Sequence, residues 1–165
     1  MIERLQSEKG GVVLDMRYGP VIISTWEGSP SIELIDRYYR WSDAVAAAAM
    51  AEEQMLVHIT ELSRARVPGA AVRKRIIEHS LANPALEVSL AHVLVVPERR
   101  LRTLVNSIAR FVAPHIAQPE LVFTASIEGA LERSIELLWK ARIPPPMGLR
   151  PEAYEVPQLE LAPGA

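Results

Sequence analysis

Apolar residues in this chain come in short blocks, and the spacing between them alternates between two periods. Runs of β-forming residues recur at Gly11–Tyr18, Val21–Trp26, Met55–Ile59, Ala91–Val96 and Leu121–Thr124. After the first pair, each run is followed by a stretch in which apolar residues return every three or four positions, the mark of an amphipathic helix. A hairpin followed by alternating helix and strand predicts one α/β domain. Its sheet should be mixed but mostly parallel, with about five strands in the order β-β-α-β-α-β-α-β-α and helices flanking it.

Punctuation sets the boundaries. Met1–Lys9 is polar and reads as frayed or briefly helical. Tyr18-Gly19-Pro20-Val21 reads as the hairpin turn, since proline has no N–H to give a ladder and suits a strand start. Ser29 or Ser31 is the candidate N-cap of a first helix over about Ser31–Glu52, with Pro30 suited to a first turn. Ile32, Ile35, Tyr38, Tyr39, Val45, Ala48 and Ala49 form its apolar stripe, and Ala46–Ala49 gives it a thin side. Met55–Ile59 is a nearly continuous apolar run, as a strand covered on both faces requires. A second helix starts near Pro68, with Ala71, Val72, Ile76 and Leu81 available to face inward, and stops or breaks at Asn83-Pro84. Leu101, Leu104, Val105, Ile108, Phe111 and Val112 make a third, clean helical stripe that ends at Pro114. Ser126 caps a fourth helix over Ile127–Ile143, with Leu131, Ile135, Leu138 and Trp139 inward.

The packed domain therefore spans residues 1–143, and residues 144–165 form a Pro-rich tail. Pro144-Pro145-Pro146 should be extended and stiff. The remainder is either disordered or laid along a surface through Tyr154, Val156, Leu159 and Leu161.

Composition narrows the function. The chain has 165 residues, 49% of them hydrophobic, which is enough for a core without staples. A formal charge of −2 leaves no overall basic footprint for nucleic acid. Cysteine is absent, which removes disulfides and thiolate chemistry. The longest weakly polar run, Ala44–Ala51, is too short to cross a bilayer, and Met1–Lys9 lacks the apolar core of a signal peptide. A cytoplasmic location is the expectation.

Candidate chemistry is sparse. His58, His79, His92 and His115 share no metal-ligand spacing and read as core or surface histidines. Neither a nucleophile elbow nor a phosphate-cradling glycine loop occurs. No catalytic residue, metal or cofactor is expected. Glu61, flanked by Thr60 and Ser63, follows the central strand, where α/β sheets place their sites, although turn and cap chemistry also explains these hydroxyls. Two basic clusters, Arg64/Arg66/Arg73/Lys74/Arg75 and Arg99/Arg100/Arg102, would share one rim if their strands are neighbours. A solvated helix face is the simpler reading of both.

The layout resembles the STAS fold of bacterial anti-sigma-factor antagonists, and more narrowly the small stand-alone STAS-like proteins. The matching pieces are Val21-Ile-Ile-Ser-Thr-Trp-Glu-Gly28, Met55-Leu-Val-His-Ile-Thr-Glu-Leu62, Val93-Leu-Val-Val-Pro97 and Phe123-Thr-Ala-Ser-Ile-Glu-Gly-Ala-Leu131, within about Gly11–Ile143. The antagonists carry an Asp-Ser-Ser/Thr-Gly-like segment, phosphorylated by a partner kinase, at the start of the second helix. Arg66-Val-Pro-Gly-Ala-Ala-Val72 stands there instead, without hydroxyl or acid, and Ser63 is displaced from the position. The resemblance thus implies a non-enzymatic protein-interaction module of a cytoplasmic bacterial regulatory or assembly complex. Its contact surface would be the rim over Thr60–Arg75, through Thr60, Glu61, Ser63, Arg64, Arg66 and Arg73, with Tyr154 and Leu159 of the tail as a second contact. A homodimer through the hairpin or an edge strand fits the same layout. The alternative is a small-molecule or lipid-binding domain of the Sec14 type, holding an apolar molecule between sheet and helices.

Overall fold

The computed structural model describes residues 1–82, 84–97, 99–112 and 120–159. Expectations placed on Asn83, Glu98, Pro114, His115 and Leu161 fall outside these residues, as do those on the side chains of Arg99, Arg100, Leu101, Arg110, Phe111 and Val112.

The fold is α/β: a six-stranded mixed sheet with four helices. The strands β1 (Ile2–Ser7), β2 (Gly10–Tyr18), β3 (Val21–Gly28), β4 (Leu56–Ala65), β5 (Ser89–Val95) and β6 (Glu120–Thr124) lie side by side in chain order. The first three pair antiparallel and the last four parallel. Parallel neighbours need crossovers, supplied by α1 (Ile32–Ala51), α2 (Ala70–Ala82) and α3 (Arg99–Val112). Crossovers of one hand between successive neighbours stack these helices on one face, here called the front. The last helix, α4 (Ile127–Lys140), packs on the opposite face, the back.

The sheet has one strand more than expected. Ile2–Ser7 is neither frayed nor helical but an edge strand, in register from Ile2–Asp15 to Ser7–Gly10. Only Leu5 is buried in it, while Glu3, Arg4 and Gln6 face solvent, as a protected edge requires. The central strand β4 also outruns its apolar block, continuing through Ala65.

Caps fall where hydroxyls were available. Ser31 Oγ accepts from the Leu34 amide at 3.1 Å, and Ser126 Oγ from the Gly129 amide at 3.2 Å. Helix faces differ from expectation in places. Ile32, Leu81 and Trp139, each expected inward, are 45%, 46% and 64% exposed. They sit at or next to helix ends. Ala71 is exposed as well, and α4 stops at Lys140, short of Ile143.

The two faces are covered differently. On the back, α4 buries Ala130, Leu131, Ser134, Leu137 and Leu138 against Val57, Ile59, Ala91, Val93 and Val95. One helix cannot cover six strands, and the C-terminal segment supplies the rest. Leu149 is buried there, and Tyr154 packs edge-to-face on Tyr18 with ring centres 6.0 Å apart. The Tyr154 hydroxyl donates to Asp15 Oδ2 at 3.1 Å. Leu159 lies over Gly11, whose missing side chain leaves the space: a Cβ there would stand 2.6 Å from Leu159 Cδ2. Through Leu159, the chain beyond Ile143 is thus laid along the back of the sheet.

On the front, α1 seals β1–β3 through Leu34, Ile35 and Tyr39 against Leu5, Val12, Leu14 and Trp26. Its small residues Ala46 and Ala49 close on Ile22 and Leu56. By contrast, α2 buries no residue. Leu104, Val105 and Ile108 of α3 are only half-buried.

Candidate functional site

The expected rim residues do not converge on one surface. Strand alternation sends Thr60 to the front and Glu61 to the back. Thr60 is half-buried, with its hydroxyl 3.4 Å from Ser24 Oγ. Glu61 is 4% exposed, and its Oε1 accepts from the Ser63 amide at 2.8 Å. Ser63 and Arg64 are exposed, with Arg64 Nη1 donating to Gln158 Oε1 at 2.8 Å. Arg66 continues the ladder from β4 by donating its amide to Gly28. Arg73 turns back to donate to the Pro68 carbonyl at 2.9 Å. Tyr154 and Leu159 are engaged on β2, across the sheet from Arg73. What does come together is a cleft of about 130 Å³ lined by Glu61, Ser63, Arg64, Val95, Ala125, Ser126, Ile127 and Val156. It opens at the carboxyl ends of β4 and β5, beside the start of α4.

A second constellation lies on the front of the sheet. His58 of β4 and His92 of β5 are register partners. Their rings stack at 5.1 Å with planes 17° apart. Both Nε2 atoms are buried without a hydrogen-bond partner among the described residues, and so is Nε1 of Trp41 on α1. Burial drives the His58 imidazole down to about 3, helped by the charge His92 would carry, and burial alone drives His92 down to about 4. Both rings are therefore neutral at pH 7, each with one donor and one acceptor nitrogen.

Next to the pair runs a row of hydroxyls. Ser24 Oγ donates to the Ile59 carbonyl at 3.3 Å and reaches Thr60. It also meets the Tyr38 hydroxyl, whose pKa burial pushes up against that hydrogen bond. Beyond them on the same face, Leu94 of β5 and Phe123 of β6 are half-buried although α2 and α3 lie over this side. The front of β4–β6 is thus an apolar, loosely covered floor with a strip of polar atoms set into it.

The helix above this floor is held mainly by polar contacts to α1. Asp36 takes Arg75 Nε and His79 Nε2, each at 2.7 Å. Tyr39 stacks on His79 at 4.5 Å and its hydroxyl meets Ser80 Oγ at 2.8 Å. The Arg75 and His79 contacts hold the Asp36 carboxyl below the usual carboxylate range. Val72 and Ile76 add partial apolar contact.

In sequence, His58 and His92 read as core or surface histidines with nothing to pair them. The available signal was their equivalent place in Leu-Val-His-Ile and Leu-Ala-His-Val, two runs that become neighbours only once strand order is known. Among the described residues, no group of three or more His, Asp or Glu is placed to hold a metal ion. No described helix is long and apolar enough to cross a membrane. No family model matches the chain, and no curated protein or solved structure is significantly similar to it.

Proposed function

We propose that this chain is a non-enzymatic binding domain that holds a small, largely apolar molecule between the front of its sheet and α2 and α3. The observation that carries the reading is the stacked His58–His92 pair, whose Nε2 atoms are buried without partners. An unmet buried polar atom costs about 1–3 kcal/mol. Both Nε2 atoms are sealed from solvent here, so a bound polar group reaches them by displacing the loosely held α2 and α3. A molecule with an apolar body and one hydroxyl, carbonyl or carboxyl would satisfy a neutral imidazole and cover Leu94 and Phe123. The STAS-like or Sec14-like layout is kept as an analogy for the six-stranded mixed sheet.

The test is binding of a fluorescent long-chain acyl probe to the full chain. Saturable enhancement, abolished in a His58→Phe/His92→Phe variant of unchanged fold, is expected. Equal binding by the variant, or none by the wild type, rejects the site.

A protein-interaction role in a regulatory or assembly complex is favoured by a different observation. Trp139 and Met147, 64% and 99% exposed, stand in solvent at and just beyond the end of α4. Exposed tryptophan is costly to keep in water and characteristic of contact surfaces. Under this reading a Trp139→Ser/Met147→Ser variant loses captured partners while the acyl probe still binds.

A further inference from the structure

The cleft on the back of the sheet is a second site, separate from the histidine pair and independent of the reading above. Glu61 forms its floor. The residue is only 4% exposed, yet only one of its carboxyl oxygens is used, by the Ser63 amide. Oε2 takes no hydrogen bond from any described residue and is not among the sealed-off atoms. Thr25, the register partner of Glu61 on the same face, has a buried hydroxyl that is also without a partner. A carboxylate held this deep with a free oxygen toward a cleft is matched by a cationic donor, and no described cation pairs with it, Arg64 of the same cleft facing Glu27 instead.

The opposite wall has the opposite character. Ser126 opens α4, and the first-turn amides of Gly129 and Ala130 are satisfied by Ser126 Oγ and Ser126 O. The Ile127 and Glu128 amides have no acceptor among the described residues, and the helix start carries partial positive charge. Arg64 adds a guanidinium, of which Nη1 alone is engaged, with Gln158 at 2.8 Å and Glu27 at 3.8 Å. Val95, Ile127 and Val156 fill the remaining wall with apolar surface. A volume of about 130 Å³ suits a head group of a few heavy atoms.

We infer that this cleft binds a small zwitterion of the α-amino-acid type, its ammonium on Glu61 and its carboxylate between Arg64 and the first turn of α4. A lone cation would meet Arg64 and the helix start unfavourably, and a lone anion would meet Glu61. Only a ligand carrying both charges a few ångströms apart is matched at both ends.

The experiment is an amide NMR titration of the full chain with glycine, methylammonium and acetate in parallel. Glycine should shift Ser63, Ser126, Ile127 and Glu128 saturably, with affinity at least about tenfold above either half-molecule. Glu61→Gln should weaken glycine by about tenfold or more, as the buried ammonium–carboxylate contact is lost. The exposed Arg64→Ala, chosen because it leaves the buried floor intact, should weaken glycine and acetate but not methylammonium. The inference is overturned if glycine gives no saturable shift. It is also overturned if acetate alone matches glycine, which would leave an anion at a helix start, or if Arg64→Ala changes nothing.

Discussion

Gly11 shows how one missing side chain shapes a whole face. Leu159 sits where a Cβ would be, and the Leu5 carbonyl lies 2.7 Å from the same point. Gly11→Ala should therefore expel Leu159 or strain β1, lowering stability by about 1–3 kcal/mol in chemical unfolding. The histidine pair makes a second prediction at this scale. Both folded-state pKa values, about 3 and about 4, lie below the ordinary value near 6.5. As pH falls below about 6.5 the unfolded chain takes up these protons and the folded chain does not, so stability declines. The slope approaches about 1.4 kcal/mol per pH unit for each ring and flattens as the folded rings titrate near the lower values. Asp15 contributes only at more acid pH: burial raises its pKa, but Arg17, at 2.7 and 2.9 Å, outweighs this and holds it below the usual carboxylate range. Unfolding free energies between pH 6.5 and pH 4 should fall in the wild type and stay nearly level in His58→Leu/His92→Leu. Equal slopes would mean the rings are not buried as neutral species.

Elements differ in how much of them a sequence can announce. The first and last helices were legible because Ser31 and Ser126 stand directly before strong apolar stripes. The first strand was not, since one buried leucine among Glu3, Arg4 and Gln6 gives no alternation to detect. Thr60–Arg64, polar but for Leu62, reads in sequence as the exit of β4, yet ladder bonds to β3 and alternate environments on two faces hold those residues in the strand. For α2, the stripe was visible but its looseness was not. A helix with no buried residue, fastened to α1 by Asp36 and Tyr39, should open more readily than its neighbours. Asp36→Ala should raise amide exchange across residues 70–82 by about an order of magnitude and leave α4 unchanged, as read by hydrogen exchange. Uniform exchange in both helices would assign α2 to the rigid core. The C-terminal segment makes the opposite case. With Leu149, Tyr154 and Leu159 packed on the back of the sheet, truncation after Ile143 should lower the unfolding midpoint markedly, each lost apolar contact removing about 1.5–3 kcal/mol.

At the scale of the molecule, alternation of strand and helix conveyed the α/β class and the largely parallel sheet. It did not convey the difference between the faces. A back covered by α4 and the C-terminal segment and a more loosely covered front depend on which residues become neighbours across strands, as His58 and His92 do, and no local period encodes that. The cleft beside Glu61 was half visible, since Glu61, Ser63 and Arg64 are close in sequence, but Ser126 and Val156 join them only through the fold. On the function proposed above, the front of the sheet holds a molecule. Native mass spectrometry of the full chain, purified without detergent, tests it most directly. A species heavier than the 18.3 kDa polypeptide is expected, by a discrete mass that is lost on acid denaturation and absent from His58→Phe/His92→Phe. A wild-type protein found only at its bare mass, and still so after incubation with long-chain acyl compounds, would contradict it.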